Sequence, residues 1–517
     1  MTSSPSQVTK DTAIFGVRNA IVVVGFFGLT KIMSSMGESQ AAAAGIIASM
    51  QGLMIGLGVG YLTTVGSEIS AALGTLEGNN RTQEIASLIR IGFFKILCIA
   101  VLSFLFCWSV RLWLPFVLED NATAEFVAQY MEGYSSAPLA EYFMIVAGQI
   151  IFALEQNPWV GFVNSGCYRL ASIGAAYILA KQLGMGMYGA GLACSAVGLL
   201  CIAGSGLWFL LRNIYREMEL FKLKLDCDRI SKLWQIGWKF AAYRFTEWGN
   251  LFIIAQIIGA WSNENLLAFE PSMLALLLSG QLLEGFSLAG MLIANKNIKM
   301  LQKTIMTIKS RLDDTQDESG IEPLLGWTTK IQDPEEQLKQ VKRHFLTLNV
   351  SGFIFNLVLV IIMFAARNQY IDFIMPSDTP LSVKQLAEGF LLLNLSATFP
   401  DALRVLSGSS LRAWNDLSFL ILNSLINITL IGIPVGFCIG IFNNKDIEPL
   451  FIVRLVTLVV SAGLNIWRNM SHLQSCSQEI EAFKQNRRYG EFFQNKENIT
   501  GRASPIEYDG EIDYVKP

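Results

Sequence analysis

Histidine is almost missing. His344 and His472 are the only two in 517 residues, and both stand at polar edges. A histidine-based hydrolase, a haem protein or a zinc enzyme is therefore not expected, because imidazole supplies the general base or the ligand in each. Charge is scarce too: Asp, Glu, Lys and Arg make up 16% of the chain, against about a quarter in soluble globular domains. The eight cysteines are scattered, and Cys98, Cys107, Cys194, Cys201 and Cys438 lie inside apolar runs. Without metal-ligand spacing or a dense framework they read as small core residues. The leading MTSSPSQVTKDT lacks a basic n-region and a small-residue cleavage site, so the first apolar run reads as a retained helix. With neither a nucleophile–base set nor a metal-ligand cluster, no enzyme and no cofactor are expected, and nucleic acid is not expected as a partner.

What is present is apolar sequence. Hydrophobic residues make up 52% of the chain and the mean hydropathy is +0.42, the composition of a polytopic membrane protein. Runs of the roughly 20 residues needed to cross a bilayer fall near 13–35, 41–66, 88–113, 126–153, 158–181 and 187–212. A second set falls near 234–259, 266–294, 345–366, 383–406, 416–442 and 447–468. Glu132 and Glu141 interrupt the fourth. The net charge of −3 says less than where the charge sits. Arg212, Arg216, Lys222, Lys224 and Arg229 follow the sixth span, Lys296, Lys299, Lys303, Lys309 and Arg311 follow the eighth, and Arg81 stands between the second and third. The alternate loops, GESQ at 37–40, EDNATAE at 119–125 and SNEN at 262–265, carry no Lys or Arg. The positive-inside rule then puts both termini in the cytoplasm, as an even number of spans requires.

The two sets repeat one another faintly. Segments 33–54 and 258–278 each run from a polar turn through Ala and Leu to a Ser-Met pair as the next helix begins. A direct six-span repeat predicts two lobes about a central cleft, with domains 1–225, 226–470 and a polar tail 471–517. Residues 301–344 form a long polar loop, in which DDTQDESG reads as disordered and PEEQLKQVKRHF as a charged surface helix leading into the ninth span.

The most informative stretch is FLLLNLSATFPDALRVLSGSSLRAWNDLS at 390–418. It sets Asp401 and Pro400 deep in an apolar helix. A carboxylate there costs roughly 2.5–3.5 kcal/mol on insertion scales and so faces a partner or a water-filled cavity. Pro400 removes a backbone hydrogen bond, which is tolerated where backbone is buried in protein or lines a cavity. The acid followed by Gly408, Leu411, Arg412 and Asp416 resembles the tenth helix and following loop of multidrug and toxic compound extrusion (MATE) transporters. Three other segments share the resemblance: GMGMYGAGLACSAVG at 184–198, ISKLWQIGWKFAAYRFTEWGN at 230–250, and the Gly432 and Pro434 region of 426–440.

The resemblance implies an all-α membrane protein of twelve transmembrane helices in two six-helix lobes. It further implies a secondary transporter that exports amphipathic, often cationic, organic compounds in exchange for H⁺ or Na⁺. Glu247 and Asp401 would be the carboxylates that take part in cation coupling, with Na⁺ held at either. Glu284, in the eighth span, is a third candidate for the cavity. A competing structural role is visible in the same residues. Arg244 stands three before Glu247 and Arg404 three after Asp401, so each pair shares a helix face and can form a permanent ion pair.

The first half departs from the family pattern. Leu29, Thr30 and Lys31 stand where an acid is common, Ser172, Gly174 and Ala175 where asparagines are, and Arg169 alone remains of the turn motif after the fourth span. Trp238 and Lys239 follow Gly237 in place of proline. Lys31 reads as a snorkelling residue. GLGVG at 56–60 reads as glycine spacing in a membrane helix, with no strand before it and no Lys-Ser/Thr after it. Phe26, Phe27, Tyr243, Phe245 and Trp248 read chiefly as packing, with a cavity wall for flat cations as the alternative. The expected setting is a monomer in a plasma membrane, with lipids and a small organic substrate as partners. A flippase for a lipid-linked or polar anionic substrate, or a non-transporting scaffold, are the alternatives.

Overall fold

A computed structural model describes residue 14 and residues 23–76, 78–155, 158–212, 227–314, 334–443 and 447–485. Among these every regular element is helical. The first half runs α1 (Val23–Ser34), α2 (Glu38–Thr75), α3 (Gly78–Trp113), α4 (Asn121–Tyr134), α5 (Ala137–Glu155), α6 (Pro158–Ala176) and α7 (Gly186–Leu211). The second half runs α8 (Cys227–Trp261), α9 (Asn263–Asp314), α10 (Pro334–Ala365), α11 (Arg367–Ile374), α12 (Leu381–Ala413), α13 (Leu417–Ser424), α14 (Ile433–Phe442) and α15 (Glu448–Gln485). The described residues sort into two compact units, one within 1–299 and 343–469 and one within 300–342 and 470–517. Everything below concerns the first. Arg216, Lys222, Lys224, most of DDTQDESG and the tail beyond 485 lie outside the described residues.

Eight of the described helices are long and apolar enough to cross a membrane, and the chain is an integral membrane protein. Of the remaining expected spans, the described part of α1 is short, while α8 and α12 carry the charges of the site discussed below. The expected fourth span, 126–153, is not one helix. Ser135 and Ser136 form a turn between α4 and α5, just ahead of Pro138, which has no N–H to donate to the Tyr134 carbonyl and so cannot carry α4 onward without a break. Asp120 caps α4, accepting hydrogen bonds from the backbone N–H of Ala122 and Thr123. The Thr123 hydroxyl, and then those N–H groups, hold its carboxyl below the usual carboxylate range.

Burial separates the helices by role. The apolar windows of α2 and α9 are 94% and 89% buried, whereas those of α7 and α10 are 22% and 28%. A helix that is apolar all round and covered all round belongs at the centre. The chain therefore wraps two central helices, the second of each half, in a shell whose apolar faces meet lipid. The central pair runs in the same direction and in step: Gly45 lies against Glu270, Gly52 against Leu277, and the Asn295 amide donates to the Ser67 carbonyl at 2.8 Å. Along the same face α2 also runs antiparallel to α8: Gly52 meets Trp248 as well as Leu277, Gly56 lies against Trp248 and Gly60 against Arg244. A Cβ on Gly60 would stand 2.7 Å from the Phe240 carbonyl oxygen, so only glycine allows this approach. The glycines of GLGVG are packing surfaces, as their setting in a membrane helix implied.

Two π-helical stretches interrupt the shell, Tyr177–Gln182 at the end of α6 and Leu425–Gly432 between α13 and α14. Pro434 follows the second. It has no N–H to return to the preceding turn, and its ring crowds that turn's carbonyl, so the helix widens there.

Candidate functional site: an alternating ladder of arginines and carboxylates

The five residues singled out in the sequence, Arg244, Glu247, Glu284, Asp401 and Arg404, come together in one cluster. The intrahelical pairs form as their spacing predicts. Arg404 donates from Nε and Nη2 to Asp401 Oδ1 at 2.9 and 2.6 Å, and Arg244 donates to Glu247. The helices then join. Arg404 Nη1 on α12 donates to Glu247 Oε1 on α8 at 2.7 Å. Arg244 pairs with Glu284 on α9, and Arg412 Nη1 lies 3.6 Å from the same carboxylate while its other nitrogen donates to Ser287. The order Asp401, Arg404, Glu247, Arg244, Glu284, Arg412 alternates in sign from end to end. Tyr243 stands in its middle, its hydroxyl accepting from Arg404 at 3.5 Å.

Except for Asp401, whose side chain is 18% exposed, the members are almost wholly buried, at 1–6%. Three helices carry charges that none could hold alone at such depth, and each charge is compensated by its neighbours across a helix boundary. Both oxygens of Glu247 face guanidinium groups. A cation placed there would meet Arg244 and Arg404 before it met a free lone pair.

A cavity opens beside the ladder, walled by Arg244, Glu247, Trp248, Asp401, Arg404 and Arg454, with Leu251, Leu276, Ile428 and Leu458 among the apolar walls. Arg454 on α15 is the residue that sequence reasoning missed. It is 8% exposed and donates to the neutral Asn394 side chain at 3.0 Å. Among the described residues it has no carboxylate within ion-pair distance. The signal was there, a lone Arg in FIVRLVTLVV. With Arg454 the site holds four guanidinium groups and three carboxylates, an excess of one positive charge. Of the five aromatics singled out earlier, Trp248 lines this cavity, Tyr243 sits within the ladder, and Phe245 is 46% exposed and turned away from the site.

The first half contains a smaller counterpart. Glu141 and Arg169, on α5 and α6, pair at 2.8 Å and are 3% and 4% exposed. They wall a second cavity with Ile55, Ser165, Tyr168 and Gln281. Phe26 packs under the Arg169 guanidinium, 5.2 Å from ring centroid to carbon. The remaining member of the Gly408–Asp416 motif, Asp416, pairs with Arg468 at 2.7 Å and closes the turn instead of joining the site. Among the described residues no cluster of His, Cys, Asp and Glu is arranged to hold a metal ion.

No family model matches the chain. A curated relative, the probable multidrug resistance protein NorM of Rhodopseudomonas palustris, is 28% identical over 118 residues, which spans 23% of this chain and 25% of the relative. Among solved structures, an inward-facing multidrug resistance MATE family transporter of the MOP superfamily superposes with a TM-score of 0.66 at 11% identity, covering 89% of this chain and 96% of its own. A MOP superfamily transporter from Pyrococcus furiosus, described for the reversed polarity of its binding pocket, superposes at 0.69 and 12% identity over 92% and 99%. The fold of this chain is that of the MATE transporters.

Proposed function

We propose that this chain is a divergent MATE-type secondary transporter, working by alternating access between two six-helix lobes. Support comes from the fold, from MATE family transporters of the same fold recorded inward-facing and outward-facing, and from the partial likeness to a multidrug resistance protein. The Lys and Arg distribution supports cytoplasmic termini.

On substrate, the reading parts from the cationic compounds that the family resemblance implied. Every carboxylate of the second-half site is already matched by an arginine, and Arg454 adds a guanidinium with only a neutral partner. That surplus carries the proposal: the cavity suits an organic anion or zwitterion, whose carboxylate or phosphate would supply the fourth negative charge and balance the four guanidinium groups. Arginine presents a rigid fork of donors to such groups. The same argument weakens Glu247 and Asp401 as Na⁺ sites. A lipid-linked anion satisfies the same chemistry as a free one.

The test is transport by the full chain in liposomes, with one fluorescent carboxylate and one fluorescent cation as probes, under imposed pH and Na⁺ gradients. The expected result is movement of the anion, reduced about tenfold or more by Arg454→Gln, the worth of one hydrogen bond to a charged group. Movement of the cation alone, unchanged by Arg454→Gln, would overturn the substrate assignment and leave the transporter standing. Movement of neither would remove both.

A further inference from the structure

Glu270 lies two turns into α9, far along the central helix from the ladder, and none of the roles above uses it. It is fully buried, at 0% exposure. Among the described residues neither of its carboxylate oxygens has a hydrogen-bond partner. Its surroundings come from three elements. On α2 it meets Gly45, and that turn, Ala41 to Gly45, offers no titratable group. On α1, Lys31 is the charged residue whose field reaches it, yet the two form no ion pair within 4.0 Å, and Lys31 lies instead over the Phe373 ring at 5.4 Å. On α11, Tyr370 stands alongside, its hydroxyl committed to the Pro271 carbonyl at 2.7 Å.

A bare carboxylate in such a place loses its hydration and gains nothing in return, a cost that buried acids escape by taking a proton. The position gives that proton a consequence. Glu270 faces α2 across the contact between the two central helices, with Lys31 of α1 and Tyr370 of α11 beside it, so parting of this end of the contact exposes it to water. Its turn is also wired to the cavity. Arg454 donates to Asn394, Asn394 donates to Ser272 at 3.0 Å, and Ser272 donates to the Phe269 carbonyl at 2.8 Å.

We propose that Glu270 is a proton-binding site that locks this end of the α2–α9 contact: it holds a proton while α1, α2 and α11 cover it, and gives that proton to entering water as the contact opens. Ionised, it gains the field of Lys31 and the hydration that the closed packing denies it. The proposal needs the two central helices to part but does not need the substrate assigned above.

Hydrogen exchange on the full chain in lipid nanodiscs tests it without any transported compound. Protection factors for peptides within 38–50 and 263–277 are followed across roughly pH 5 to 9, the range in which buried carboxyls titrate. Loss of one proton on opening makes protection fall by up to about tenfold per pH unit, with peptides within 58–70 serving as the control. Glu270→Gln, which stays neutral, is expected to keep protection high and flat. Lys31→Gln is expected to move the fall to higher pH, and it reads the same site if the first variant does not fold. A flat profile in the unaltered protein, a Glu270→Gln profile that still falls with pH, or a Lys31→Gln profile that does not move would each overturn the proposal. None of these results bears on whether the chain transports.

Discussion

At the scale of single residues, the ladder behaves as one unit because each inner member serves two neighbours. Arg404 serves both Asp401 and Glu247. Replacing it with glutamine takes from Asp401 the arginine it pairs with and leaves the almost wholly buried Glu247 with Arg244 alone. Breaking a buried pair costs about 3–5 kcal/mol, so Arg404→Gln is expected to lower the unfolding temperature markedly. Asp401→Asn is expected to cost far less, since Asp401 ends the ladder and is partly solvated. Thermal unfolding of the two variants side by side checks the order; equal losses would mean that the ladder is not a connected network.

At the scale of elements, the sequence was most readable where a helix carries its own signal. Charges in apolar runs marked Glu247, Glu284 and Asp401, and the three-residue spacing marked their arginines. What it did not disclose is which helix answers which. The Glu247–Arg404, Arg244–Glu284 and Glu141–Arg169 pairs each join residues distant in the chain, and nothing in local spacing encodes them. The turn at Ser135 was hidden for a similar reason, because apolar sequence continues on both sides of it. Small residues proved more telling than they looked. Gly60 sets the distance between α2 and α8, and Arg244 depends on that distance to reach Glu284. Gly60→Leu is expected to cost about 1–3 kcal/mol through overpacking. Gly204→Leu, on α7 where nothing lies within 4 Å, is expected to be nearly neutral. Comparable unfolding temperatures for the two variants would contradict the close approach.

At the scale of the whole molecule, the two halves meet along α2, and the meeting is fastened differently at its two ends. One end holds Glu270, a carboxyl without a hydrogen-bond partner among the described residues. Towards the other lies Lys95 on α3, 1% exposed, whose Nζ donates to the Tyr61 carbonyl at 2.7 Å, the Thr64 hydroxyl at 2.6 Å and the Leu233 carbonyl at 3.2 Å. Tyr61 and Thr64 belong to α2 and Leu233 to α8, so a single ammonium ties both halves. Lys95→Met removes three hydrogen bonds from a charged donor, while the two carbonyls keep their helical N–H partners, at about 1–3 kcal/mol. Hydrogen exchange within 230–240 is expected to quicken while the ladder-bearing segments 244–250, 280–288 and 400–412 stay protected. Unchanged exchange there would show that packing alone holds that end.

The two π stretches bear on how the chain tolerates change in length. Each packs a residue more into its turn than an α-helix does, and each belongs to the shell, Ile428 of the second also walling the cavity. Removing one residue from an ordinary membrane helix rotates everything beyond it by about 100° and turns buried faces to lipid. Removing one from 425–432 instead lets the wide turn relax to an α-turn, with the flanking helices keeping their faces. The shell thus contains two places where the chain can shorten by a residue without disturbing the centre it surrounds.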